Sequence, residues 1–154
     1  MKNTKQQLIL DQVDKKLLTF KTLKDISVPT KGWLHTVRTA LKMSLRQLSA
    51  KIAIAPQSLK DMESREVAGT ITLNTLRDVA NAMDMQLVYG FVPKDGSIEA
   101  LIERKAQELA TKIVMRANNT MVLENQQNSE KRIKSAIKER TASLKNEMPK
   151  ILWD

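Results

Sequence analysis

The sequence predicts a mainly α-helical protein, and three observations carry that expectation. Aromatic residues make up only 3% of the 154 residues and glycines number four, too few for the turn-rich pattern of a sandwich or barrel. Apolar residues, at 42%, are enough for a packed core, and over most of the chain they recur at three- and four-residue steps. The length fits one ordinary domain, or one small domain with an interaction segment, and argues against a large catalytic fold.

The elements divide into three regions: residues 1–31, 32–93 and 97–154. From Lys5 to Leu23, the residues Leu8, Ile9, Leu10, Val13, Leu17, Leu18 and Phe20 mark an amphipathic helix, expected to pack onto the core that follows. Pro29 and Gly32 mark the connector. Trp33, Val37, Ala40 and Leu41 line one face of the next helix. Ser44 then stands where an N-cap oxygen would receive the backbone N–H groups of a helix burying Leu45, Leu48 and Ile52. Pro56 suits a first helical turn, with Leu59 and Met62 on the inner face. A further helix begins near Thr72 and buries Leu73, Leu76, Val79, Ala80 and Met83.

The run from Gln86 to Val92 is β-branched and aromatic and is closed by Pro93, so it reads as one short β-strand that needs a partner edge. The open alternatives are an edge in the same chain and an edge from a second copy. Helical periodicity returns from Ile98 to Met121 behind an Asp95-Gly96-Ser97 turn and cap. Asn118-Asn119 reads as an interruption, with Thr120 capping a new turn. Beyond Asn128 only Ile133, Ile137 and Leu144 keep the period, which predicts a solvated helix with a frayed end.

Composition also bounds the chemistry. The absence of cysteine removes thiolate nucleophiles and cysteine-based zinc sites, and a single histidine, His35, removes multi-histidine metal sites. No catalytic residue, cofactor or metal is expected, and the chain does not read as an enzyme. Nothing in it resembles a signal peptide or a membrane span, so the expected location is cytoplasmic. The net charge of +9 points to a polyanionic partner, nucleic acid being the commonest. Residues 1–93 hold 14 basic and 8 acidic residues, two-thirds of the excess.

Residues 43–63 have the layout of a helix-turn-helix, in which the second helix packs back by its apolar side and offers its first residues to a major groove. Gln57, Ser58, Lys60 and Asp61 then lie on the exposed side of the reading helix. Gln can pair bidentately with adenine and Asp can accept from cytosine. Lys42, Arg46, Lys51 and Arg65 would hold phosphates. The apolar positions of this stretch resemble those of the lambda-repressor-like, or XRE, family. Leu45 stands where that family usually has Gln, and Ala53 where its turn usually has Gly.

From about Leu8 to its end the chain resembles the family called mobile mystery protein A. The resemblance is carried by Pro29-Thr30-Lys31-Gly32-Trp33, Thr72-Leu73-Asn74-Thr75-Leu76-Arg77, Leu87-Val88-Tyr89 and the ending Leu152-Trp153-Asp154. It implies an antitoxin paired with a toxin containing a Fic domain, a fold that transfers AMP from ATP to a target hydroxyl. It also draws attention to Thr120-Met121-Val122-Leu123-Glu124-Asn125, which matches the Ser/Thr-x-x-x-Glu-Gly/Asn pattern of Fic inhibitory helices. The resemblance implies that Glu124 reaches the partner arginine that would otherwise hold the γ-phosphate of ATP. Thr120 and Asn125 would then fix the helix end, and Met121 and Leu123 would anchor it.

The resulting expectation is a lambda-repressor-like domain followed by a helical Fic-inhibitory extension. The chain would bind operator DNA as a homodimer to autorepress its operon, and would block ATP binding by the toxin. The alternative expectation is a stand-alone transcriptional regulator whose C-terminal helices serve oligomerisation.

Overall fold

The computed structural model describes residues 4–123 and 130–154, and they form seven α-helices and two 3₁₀ turns. They fall into two compact units. One comprises residues 25–89, and the other is assembled from residues 1–24 and 90–154.

The 25–89 unit contains α2 (Gly32–Ala40), α3 (Leu45–Lys51), α4 (Pro56–Ala68) and α5 (Leu73–Ala82). Leu34, Leu48, Leu59, Val79 and Met83 form its buried centre, ringed by Val37, Ile52, Met62 and Leu76 among others. Starts and stops follow local chemistry. Ser44 caps α3 in a reciprocal capping box, accepting from Gln47 N while Gln47 Oε1 accepts from Ser44 N. Thr72 caps α5 by accepting from Thr75 N, and Pro56 opens α4 at its first turn.

All four helices stop in the same way. A left-handed residue follows each helix end: Lys42 (φ 55°), Ala53 (φ 55°), Gly69 (φ 75°) and Asp84 (φ 55°). The next amide then reaches back five residues: Met43 N to Arg38 O, Ile54 N to Ser49 O, Thr70 N to Arg65 O and Met85 N to Ala80 O. Only one of the four positions is glycine, so three carry a Cβ in a conformation that suits glycine best.

The other unit contains α1 (Thr4–Leu18), α6 (Ile98–Leu123) and α7 (Glu130–Glu147), with a 3₁₀ turn at Lys150–Trp153. Helices α6 and α7 run antiparallel. The start of α6 meets the end of α7 through Glu99 and Glu103, both bonded to Lys145. Its centre is Ile102, Ala106, Ala110, Leu144 and Leu152, and the two fully buried alanines let helices approach closely. Ser97 caps α6 by accepting from Ala100 N. Asp14 adds a second cap from α1, accepting from Ile98 N at 2.7 Å and from Glu99 N at 3.3 Å.

Four expectations are corrected here. Residues 86–92 belong to no ladder, and no β-strand occurs among the described residues, because a ladder needs a second edge. Helix α1 groups with α6 rather than with the 25–89 core, and only Leu10 of its apolar stripe packs against a buried cluster, while Leu8, Ile9, Val13 and Leu18 stay exposed. Trp33, Leu41 and Leu73 are also exposed, whereas Leu34, one step round from Trp33, takes the core position. Finally, the C-terminal end is not frayed, since Leu144 and Leu152 are buried on α6.

Candidate nucleic-acid interface and partner-binding segment

Helices α3 and α4 are joined by residues 52–55, with Ala53 left-handed at the turn, the position where glycine is missing. Along α4, Leu59 and Glu63 point inward and are buried, while Gln57, Lys60 and Asp61 are exposed at i, i+3 and i+4 on one face of its first turns. Gln57 Nε2 donates to Asp61 Oδ1 at 3.0 Å, so the amide and the carboxylate singled out in the sequence are held together. Ser58 is half-buried beside them. Lys42, Arg46, Lys51 and Arg65 are all exposed, at the end of α2, the start and end of α3, and the last turns of α4.

What holds this surface is a buried polar cluster. Arg38 and Glu63, each with a side chain 9% exposed, pair through Arg38 Nε and Glu63 Oε1 at 2.5 Å and through Nη2 and Oε2 at 3.2 Å. Arg38 Nη1 also donates to Met43 O at 3.0 Å, fastening the α2–α3 turn. His35 Nδ1 lies 3.1 Å from Glu63 Oε2 and 3.3 Å from Arg38 Nη2, and one tautomer can satisfy only one of these contacts. Burial by itself would raise the Glu63 carboxyl. The hydrogen bonds from Arg38 and His35 outweigh it and hold the group below the ordinary carboxylate value.

One turn further, Glu66 caps α2 from outside, accepting from Trp33 N at 2.8 Å and Leu34 N at 2.9 Å, where Lys31 supplies no side-chain cap. Gly32 (φ 80°) makes that possible, because a Cβ there would stand 2.8 Å from Glu66 Oε2. The sequence did carry a signal for the buried pair. Arg38 and Glu63 each fall one helical turn after a core leucine, Leu34 and Leu59, so each is a charge in register with an apolar face.

In the other unit α6 runs unbroken through Asn118-Asn119 to Leu123. Thr120 is therefore no N-cap: it is an exposed mid-helix residue whose Oγ1 donates to Arg116 O at 3.1 Å. Met121 and Leu123 continue the same helix, and Glu124 and Asn125 lie outside the described residues. Just before Thr120 the helices leave an open groove of about 550 Å³, with Ile113, Val114 and Ala117 of α6 facing Ile133 and Ala136 of α7. Arg132, Glu139 and Arg140 edge it.

Charge is distributed differently from the sequence expectation. Residues 25–89 hold eight basic and six acidic residues, a net +2, and the remaining +7 belongs to the unit of α1, α6 and α7. Among the described residues no helix is long and apolar enough to cross a membrane.

Fold and site together define a mainly α-helical protein in which a capped helix pair presents a polar face and a second helical pair leaves an apolar groove. No family model, curated protein or solved structure matches the chain.

Proposed function

We propose that the chain is an antitoxin that binds operator DNA through a lambda-repressor-like helix-turn-helix, α3 to α4, and restrains a Fic-domain AMP-transferase through the segment from Thr120 to Asn125. The observation that carries the DNA half is the exposed Gln57, Lys60 and Asp61 face at the start of α4, backed by the buried Arg38–Glu63 pair that fixes α4 against α2. These side chains would discriminate bases at about 1 to 3 kcal/mol per good pair. The exposed Lys42, Arg46, Lys51 and Arg65 would contribute affinity without sequence information.

The inhibitory half rests on the sequence pattern together with α6, which carries Thr120 to Leu123 in helical form at the end of the apolar groove. A carboxylate and a phosphate both satisfy the guanidinium fork. Glu124 paired with a toxin arginine would thus remove the anchor that aligns ATP for attack at the α-phosphate, and catalysis by positioning is sensitive to that loss. Any catalytic groups then belong to the partner.

The second reading, a stand-alone regulator, is favoured by the same groove, which a second copy of the chain would fill as readily as a toxin helix. Co-expression with a Fic protein encoded beside this chain separates the two. Glu124→Gly is expected to leave complex and operator binding intact while AMP transfer appears. Undiminished inhibition removes Glu124 from the mechanism, and the absence of any complex favours the regulator.

A further inference from the structure

The groove between α6 and α7 has apolar walls and nothing seated in it. Ala117 on one wall and Ala136 on the other are exposed and too small to close it, and Ile113 beside them is exposed as well. From Ile133 to Ser143 its α7 side runs about 15 Å, the length of about three turns of a further helix. A helix that fills such a groove anchors itself by apolar side chains at i, i+3 or i+4, and i+7. By size alone, a foreign helix and a helix of a second copy fit equally well.

Charge separates these two occupants. Residues 109–143, which hold the groove, carry seven basic and three acidic residues, net +4, whereas residues 97–108 with 144–154 carry four basic and five acidic, net −1. At that other end Arg104 pairs with Asp95 and Glu108, and Lys145 with Glu99 and Glu103. Arg140 lines the groove and makes no ion pair or hydrogen bond with another described residue. Covering the groove withdraws Arg140 from water, and a cation so covered is costly unless the occupant brings a carboxylate. Arg132 adds a second positive charge to the edge, against the single negative charge of Glu139. Among the described helices, α1 exposes the most large apolar side chains, Leu8, Ile9, Val13 and Leu18. Residues 1–24, however, hold six basic and two acidic residues, so α1 of a second copy would meet the groove with like charge.

We propose that the groove docks an acidic amphipathic helix of a partner protein, with its apolar stripe against Ile113, Val114, Ile133 and Ala136 and a flanking carboxylate on Arg140. The site is made of α6 and α7 side chains and stands whether or not Glu124 inhibits a toxin.

The probe is a fluorescein-labelled helical peptide of about 15 residues, with leucines at groove-anchor spacing and glutamates beside them. Its anisotropy is titrated with the full chain, in parallel with a twin peptide that carries lysines for glutamates. The glutamate peptide is expected to bind at least ~10-fold more tightly than the lysine twin. Arg140→Glu should weaken the glutamate peptide by ~5- to 20-fold. The same charge change at Lys134, which is exposed and outside the groove lining, should weaken it by no more than ~2- to 3-fold. Ala136→Phe, which places a ring in the groove, should cost ~10-fold or more by obstruction. Far-UV circular dichroism checks that every variant keeps its helices. No binding of the glutamate peptide at about 1 mM overturns the proposal. So do equal affinities for the two peptides, equal losses from Arg140→Glu and Lys134→Glu, or undiminished binding by Ala136→Phe. Sedimentation covers the second copy: a wild-type dimer that Ala136→Phe dissociates would give the groove to another copy of this chain and overturn the partner helix.

Discussion

Arg38→Met tests the structural argument where its magnitude is largest. The change removes the main partner of a carboxylate whose side chain is 9% exposed, and leaves His35 as the group in contact with it. Breaking a buried pair from one side costs about 3 to 5 kcal/mol, because the surviving charge is neither solvated nor compensated. Loss of the bond to Met43 O adds about 1 kcal/mol. A unit the size of residues 25–89 has a total stability of about 3 to 10 kcal/mol, so the variant should be near or past its unfolding threshold at 25 °C. Arg38→Met with Glu63→Leu should recover most of the loss, since apolar replacement of both partners is often neutral.

Urea unfolding followed by Trp33 fluorescence in a Trp153→Phe background reads this unit by itself, because Trp33 lies within it and Trp153 does not. The pH dependence follows from the direction of the shift. Glu63 is held below its ordinary pKa by Arg38 and His35 against the opposing effect of burial. Its contribution is therefore complete above the ordinary value and is lost as pH falls through the lower folded one. Without Arg38 the buried carboxyl is cheaper protonated, and the variant's deficit should shrink as pH falls from 7 towards 4. A cost below about 1 kcal/mol at pH 7, or a deficit that does not change with pH, would refute the account.

Three further outcomes are expected. Gln57→Ala should weaken specific operator binding more than non-specific binding, whereas Arg46→Ala should weaken both and lower the salt slope by about 1. Titrations at several salt concentrations distinguish these, and equal losses contradict the assigned roles. Ala53→Gly should stabilise the 25–89 unit by about 0.5 to 1 kcal/mol in urea melts. Relief of the left-handed Cβ exceeds the added freedom of the unfolded chain. Asp14→Ala should cost about 1 to 2 kcal/mol by uncapping Ile98 and Glu99, visible as faster amide exchange at the start of α6.

The sequence was most legible where structure is local. Ser44 and Ser97 cap the helices they were expected to cap, α5 begins beside Thr72 as expected, and Pro56 opens α4, because each acts within three or four residues. Contacts across distance were not legible. Glu63 meets Arg38 from 25 residues away, Glu66 meets Leu34 from 32, and Asp14 meets Ile98 from 84, and no periodicity encodes such pairings. The run at 86–92 shows a different limit, since β propensity describes a surface and not the partner that completes it. At Asn118-Asn119 weak helix propensity, under about 1 kcal/mol per residue, was too small a cost to interrupt α6. Spacing located the exposed face of Gln57, Lys60 and Asp61, but not the pairing of Glu63 with Arg38 behind it.

Because the unit of α1, α6 and α7 is assembled from two separated stretches of chain, its construction during synthesis has an obligatory order. Residues 25–89 carry all of their own core and can complete it as soon as they are clear of the ribosome. Helix α1 emerges before the rest of its unit, yet Leu10 and Asp14 have nothing to meet until Ile98 and Ile102 exist. At about 5 to 20 residues per second that is a delay of roughly 4 to 18 s. During it the apolar side of α1 is a nascent-chain segment open to chaperones and proteases, and a helix made before the 25–89 core finds its place only after that core is complete.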